Sequence, residues 1–182
     1  MASKIPHLHY FPAPAKINRM LRVIRREENG YHYLQTVFQF TSLFDEIGFA
    51  ASRLPFAGES EHRLKFHYSH TDFSLEDDLI YRAIKALQNR TGHQFSVEID
   101  LQKQLPMGAG LGGGSSNAAT TLVALNALLD LKLTQNELIE MGANLGADVP
   151  IFIYGQSAWA EGIGEQLTPL SPPEEELLLI KP

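Results

Sequence analysis

The chain has 182 residues, 44% of them hydrophobic and 20% charged, with a formal net charge of −6 and no cysteine. That is enough apolar material for an ordinary core of one domain or two small ones. It excludes disulfide or thiol chemistry and a nucleic-acid grip built on an extended basic face, and no apolar run is long enough to read as a leader or a bilayer span.

Residues 8–24 read as one or two strands, with Ile17, Leu21 and Val23 alternating with Lys16, Asn18, Met20 and Arg22. Asn29-Gly30 is a hairpin turn signal, and Leu34 to Phe40 is a strand rich in β-branched and aromatic residues. Residues 52–61, with Pro55 and Gly58, read as a loop, followed by a short strand at 64–68. Leu79, Ile80, Ala83, Ile84 and Leu87 form a helical stripe that Gly92 ends. Phe95, Val97, Ile99 and Leu101 alternate as a half-buried strand. Helices are expected over 116–129 and 135–144, the second opened by the capping box Thr134 to Glu137. Ile151 to Tyr154, Ser157 to Ala160 and Leu177 to Ile180 read as later strands. Strands and helices mix without strict βαβ alternation, so the expected class is α+β.

Five glycines crowd positions 108–114, within Pro106-Met107-Gly108-Ala109-Gly110-Leu111-Gly112-Gly113-Gly114-Ser115-Ser116-Asn117. A glycine loop running into a helix start offers unpaired N–H groups and the positive end of a dipole, which is a phosphate cradle. Residues 108–113 formally match the dinucleotide fingerprint G-x-G-x-x-G, but that fingerprint needs an acidic residue ending a second strand about 20 positions on. The candidate, Asp130, ends a helix instead, and no lysine follows the glycines as a Walker A loop requires.

Three other stretches stand out. In Pro14-Ala15-Lys16-Ile17-Asn18, period 2 puts Lys16 and Asn18 on one face; by itself such a lysine is a solvated strand residue. Gly30-Tyr31-His32 offers a stacking ring and hydrogen-bonding groups, or an ordinary aromatic hairpin edge. Asp148, in Leu145-Gly146-Ala147-Asp148-Val149-Pro150, would by itself be a turn residue before a strand. The pairs His7/His9 and His67/His70 lack the companions of a metal site and read as surface residues.

The glycine stretch, allowing one extra glycine, resembles the second motif of the GHMP kinases, and Pro14 to Asn18 resembles the opening motif of their isoprenoid-pathway branch. Gly30 to His32 and Leu145 to Pro150 match further motifs in the same order, from about residue 10 to the end. The resemblance implies a GHMP kinase N-terminal domain (ribosomal protein S5 domain 2-like): a mixed, mostly antiparallel sheet packed by helices. Residues 1–182 would then be one ATP-binding domain, with the family's C-terminal GHMP domain absent. It implies transfer of the γ-phosphoryl group of ATP, with Mg2+, to an alcohol. Pro106, Gly108, Ala109, Gly110, Leu111, Gly112, Gly113, Gly114, Ser115 and Ser116 would hold the nucleotide, Ser115 or Ser116 also reaching Mg2+. Asp148 would take the hydroxyl proton with Lys16 as its electrostatic partner. Asn18, Tyr31, His32 and Phe38 would hold a small-molecule substrate carrying a cytidine diphosphate group. The implied setting is the cytoplasm (bacterial cytosol or plastid stroma), with no nucleic-acid or membrane partner and with self-association through the face a second domain would cover. Two residues depart from the family pattern: Arg19 stands where leucine is usual, and Asp78 where asparagine is common near the adenine pocket. A kinase for another small alcohol, and a silent nucleotide-binding domain, stay open.

Overall fold

A computed structural model describes residues 4–26, 32–54, 64–68, 74–162 and 164–180. Strand β1 (His9–Arg26) pairs antiparallel with β2 (His32–Arg53) along the whole of β1, from His9 opposite Phe49 to Arg26 opposite His32. The Asn29-Gly30 turn signal lies outside the described residues. Strand β2 is three times longer than the expected 34–40 segment. Its second half escaped the alternation test because Asp45, Glu46 and Gly48 interrupt the apolar pattern.

This long strand organises the sheet. On one edge it carries β1; on the other, Glu46–Arg53 pairs with β4, while Thr36 to Phe38 pairs with β5 (Ala158–Glu161). Strand β3 (Leu64–Phe66) joins β4 (Phe95–Gln102) in parallel, and β6 (Gln166–Pro169) joins β5 antiparallel. The sheet is thus mixed and mostly antiparallel, as the resemblance implied. Leu177 to Ile180 forms no strand: the run stays exposed, with no neighbouring strand to complete a ladder.

Helix α1 (Leu79–Thr91) buries Ile80, Ala83, Ile84 and Leu87, closes at Gly92 with φ 68°, and is capped by the Asp78 carboxylate, which accepts from the Ile80 amide. Helix α2 (Gly113–Leu128) begins three residues before the expected start. Its glycines are the first turn itself, where no intrahelical N–H bond is lost and tertiary packing outweighs their low propensity. Helix α3 (Gln135–Ala143) carries the capping box read from the sequence. Residues 151–154, expected as a strand, belong to α4 (Val149–Tyr154). Pro150 sits in the first turn, where its missing N–H costs nothing, and Gly155 closes the helix with φ 77°. Since Val149 to Ile153 are all buried, periodicity could not separate a short helix from a buried strand.

Helix α2 packs on β1 and β2 and contacts α1, α3 and α4, so its small residues (Ala118, Ala119, Thr121, Ala124) form the centre of the core. Phe49, Ile99, Ile84, Leu122, Leu125 and Ile151 fill the space around it. Among the described residues, no helix is long and apolar enough to cross a membrane.

Candidate active site

The glycine loop is shaped by backbone that side chains rarely adopt: Gly108, Gly110 and Gly112 have φ of 68°, 72° and 72°. At Gly112 a Cβ would also lie 2.8 Å from the Phe152 ring. The loop is pinned to β1 by the Lys16 amide, which donates to the Leu111 carbonyl at 3.0 Å. Gly112 then caps α2 without a side chain, leaving the N–H groups of the first turn facing outward. Behind them the Ser116 hydroxyl is fully buried and has no hydrogen-bond partner among the described residues.

A second support comes from β2. Asp45 is fully buried; its carboxylate accepts from Lys103 Nζ at 2.6 Å, Gln104 N at 2.7 Å and Leu105 N at 2.8 Å. With its amide turned to donate, Asn117 adds bonds to Asp45 Oδ2 at 3.2 Å and Gly113 O at 3.1 Å. One carboxylate therefore ties β2 to the segment entering the glycine loop and to the start of α2.

Lys16 and Asp148 meet at the loop's other flank. Lys16 Nζ lies 3.0 Å from Asp148 Oδ2, and its side chain is 6% exposed against 35% for Asp148. The ammonium also donates to Asn18 Oδ1 at 2.8 Å and sits 5.2 Å from the centre of the Phe38 ring. Asp148 stands at the N-cap of α4, yet its carboxylate makes no capping bond. It is left to face Lys16 and the open side.

These groups share one cavity of about 800 Å³, lined by Lys16, Asn18, Asp148, Pro106 and residues 107–115. Ser116 lies behind the cavity wall and Phe38 beneath Lys16, and neither lines it. Tyr31 lies outside the described residues. His32 is placed only as the first residue of β2, opposite Arg26. Arg19 turns to Gln39 and Glu175, away from the Lys16 cluster.

The cavity's far end holds residues to which the sequence drew little or no attention: Tyr68, Leu101, Lys103 and the departing residue Asp78. Asp78 accepts from Ile80 N at 2.7 Å and from the Tyr68 hydroxyl at 2.8 Å. Burial, and then the Asp78 charge, push the Tyr68 hydroxyl's pKa far up, so it stays a donor. Asp45 and Lys103 had only a faint signal, charges set among apolar strand residues, which a solvated face would also give.

The fold and the glycine-loop cavity together define a class. Residues 78–156 match the family model described as the GHMP kinases N terminal domain. The relatives it resembles are 4-diphosphocytidyl-2-C-methyl-D-erythritol kinases. The one from Nitrosococcus oceani is 51% identical over 172 residues, covering 94% of this chain and 59% of the relative. The one from Ralstonia pickettii is 47% identical, covering all of this chain and 61% of the relative. A solved 4-(cytidine 5'-diphospho)-2C-methyl-D-erythritol kinase superposes with a TM-score of 0.72 at 39% identity, over 91% of this chain and 56% of that one. The chain thus spans about three fifths of the length of the curated relatives it matches. Mevalonate kinase from Methanococcus jannaschii, at 13% identity and a TM-score of 0.62, shares the fold.

Proposed function

We propose that this domain holds ATP and takes part in phosphorylating an alcohol, with 4-diphosphocytidyl-2-C-methyl-D-erythritol as acceptor and its 2-hydroxyl as the attacking group. The observation that carries the reading is the Lys16–Asp148 pair at 3.0 Å, set beside the outward N–H groups of the α2 first turn. Phosphoryl transfer asks mainly for positioning and charge stabilisation. The N–H groups from Gly110 to Ser115 would hold phosphate oxygens. The Ser115 side chain lines the cavity beside them and fits a donor to a ligand oxygen. The described residues contain no group of three acidic or histidine side chains able to hold a metal. Mg2+ would enter with the phosphates, where it would neutralise their charge, with the Ser115 hydroxyl as its protein contact; the expected Ser116 contact does not fit, because that side chain does not line the cavity. Asp148 would orient the acceptor hydroxyl and take its proton, while Lys16 would steady the negative charge on both sides of the transfer. Asn18 and Phe38 would border the acceptor, and Tyr31 and His32 would recognise its cytosine. We read residues 1–182 as a single domain of a two-domain kinase, and the apolar side chains that β1 exposes (Leu21, Val23 and Ile24) as its self-association face. Light scattering against concentration tests that face.

The chain incubated with ATP, Mg2+ and 4-diphosphocytidyl-2-C-methyl-D-erythritol should yield a product heavier by one phosphoryl group, read by mass spectrometry. Mevalonate and homoserine serve as control acceptors and should stay unmodified. Asp148→Asn should lower turnover by roughly 10²–10⁴-fold. Normal turnover in that variant, or transfer to a control acceptor alone, overturns the reading.

A further inference from the structure

We propose that Thr36 is a positioning residue that fixes the amide of Asn18 and, through it, aims the Lys16 ammonium at Asp148. Thr36 is fully buried near the start of β2, opposite Leu21 of β1 on one side and Ala160 of β5 on the other. Its hydroxyl donates to the Met20 carbonyl at 2.6 Å, and Asn18 Nδ2 donates to Thr36 Oγ1 at 2.8 Å. The register shift between Asn18 and Met20 brings these partners round one hydroxyl.

The direction of each bond follows from chemistry. A hydroxyl has one proton and two lone pairs. A carbonyl can only accept, so the Thr36 proton is committed to Met20. Towards Asn18 the hydroxyl can then only accept, so it selects the NH2 end of the amide. The carbonyl end of Asn18 is left pointing the other way, where Lys16 Nζ donates to it at 2.8 Å. Were the amide turned round, its NH2 group would face the ammonium donor to donor, and Lys16 would lose one of its two acceptors. The ammonium is 6% exposed and cannot recover that bond from bulk water, so it would shift away from Asp148. A threonine that does not itself line the cavity thus sets the orientation of the site's cation. Lys16, Asn18 and Asp148 line the cavity; Thr36 does not, and it acts only through Asn18.

The catalytic meaning of this relay rests on the proposed roles of Lys16 and Asp148; the relay itself is testable without turnover. In the full chain labelled with nitrogen-15, the Lys16 ammonium should be protected enough from exchange to give a resolved signal, assigned by its loss in Lys16→Met. Thr36→Val keeps shape and removes the hydroxyl, and should broaden or erase that signal. Thr36→Ser keeps the hydroxyl and should restore it. In turnover, Thr36→Val should lower kcat by roughly 10–100-fold with the KM for ATP unchanged. A Lys16 signal untouched in Thr36→Val, or lost equally in Thr36→Ser, overturns the relay. If Thr36→Val does not fold, the unmutated chain still decides: a freely rotating Asn18 amide, or no protected Lys16 signal, overturns it as well. Absence of phosphoryl transfer by the unmutated chain counts against the kinase reading alone, because the ammonium signal reports on Thr36 independently.

Discussion

Asp45 is a fully buried carboxylate whose oxygens accept from a lysine and two successive backbone amides. Its value lies in what would be orphaned without it. Asp45→Ala would leave Gln104 N and Leu105 N without an acceptor and free Lys103, which is a third exposed and can turn to water. Leaving two backbone amides without their acceptor costs roughly 1–3 kcal/mol apiece. Urea unfolding of Asp45→Ala should show a loss of that size, and calorimetric titration with ATP should show weaker binding, because the loop's entry is released. Unchanged affinity would mean that the glycine loop holds its shape alone. At this scale the sequence exposed the residues that belong to motifs, namely Lys16, Asn18, Asp148 and the loop of residues 106–116. It did not expose Asp45, Thr36 or Lys103. Their partners are 58 residues away for Asp45 and Lys103, and 16–18 for Thr36, and no local pattern marks such a bond.

Among the elements, those that could be read were those whose periodicity is decided by one buried face. Strand β4 alternates Phe95, Val97 and Ile99 inward, and α1 stripes Ile80, Ala83, Ile84 and Leu87. Where an element is buried on all sides, period carries no information. That is why α4 passed for a strand, whereas α2 lost its first turn because glycine has low helix propensity. Helix α3 was legible through its ends, since Thr134 and Glu137 exchange side-chain and backbone bonds. Thr134→Ala removes the acceptor for Glu137 N and should cost about 1 kcal/mol. Thermal unfolding should report it as a lower midpoint, whereas Thr134→Ser should stay near the unmutated value. Because α3 packs on α4, whose N-cap is Asp148, the same variant also asks whether the cap reaches the site. An unchanged ATP affinity in Thr134→Ala is expected, since no residue of α3 lines the cavity.

Across the molecule, Glu98 of β4 gathers two segments distant in sequence, the β3 stretch and the N-terminal segment. It bonds Lys65 at 3.0 Å, His67 just beyond β3, and His7 of the N-terminal segment at 3.2 Å. These partners, Lys65 foremost and then His67 and His7, hold its carboxyl down at about 2. A carboxylate whose folded pKa is depressed stabilises the fold fully above its unfolded value, near 4.5, and loses that contribution as pH falls through about 2. Acid unfolding of the whole chain mixes this group with every other carboxylate, so the informative quantity is a difference. The midpoint gap between the unmutated chain and Glu98→Gln should be at its full size at pH 5. It should narrow steadily below pH 4.5 and vanish near pH 2. Salt should shrink the gap at neutral pH, because the cluster lies at the surface where ions screen it. A gap that persists undiminished to pH 2 would mean that Glu98 acts through packing of its side chain, not through its charge. The same experiment separates the sheet's edge from the site. Glu98 lies outside the cavity, so ATP affinity at neutral pH should be the same in both proteins even where their stabilities differ.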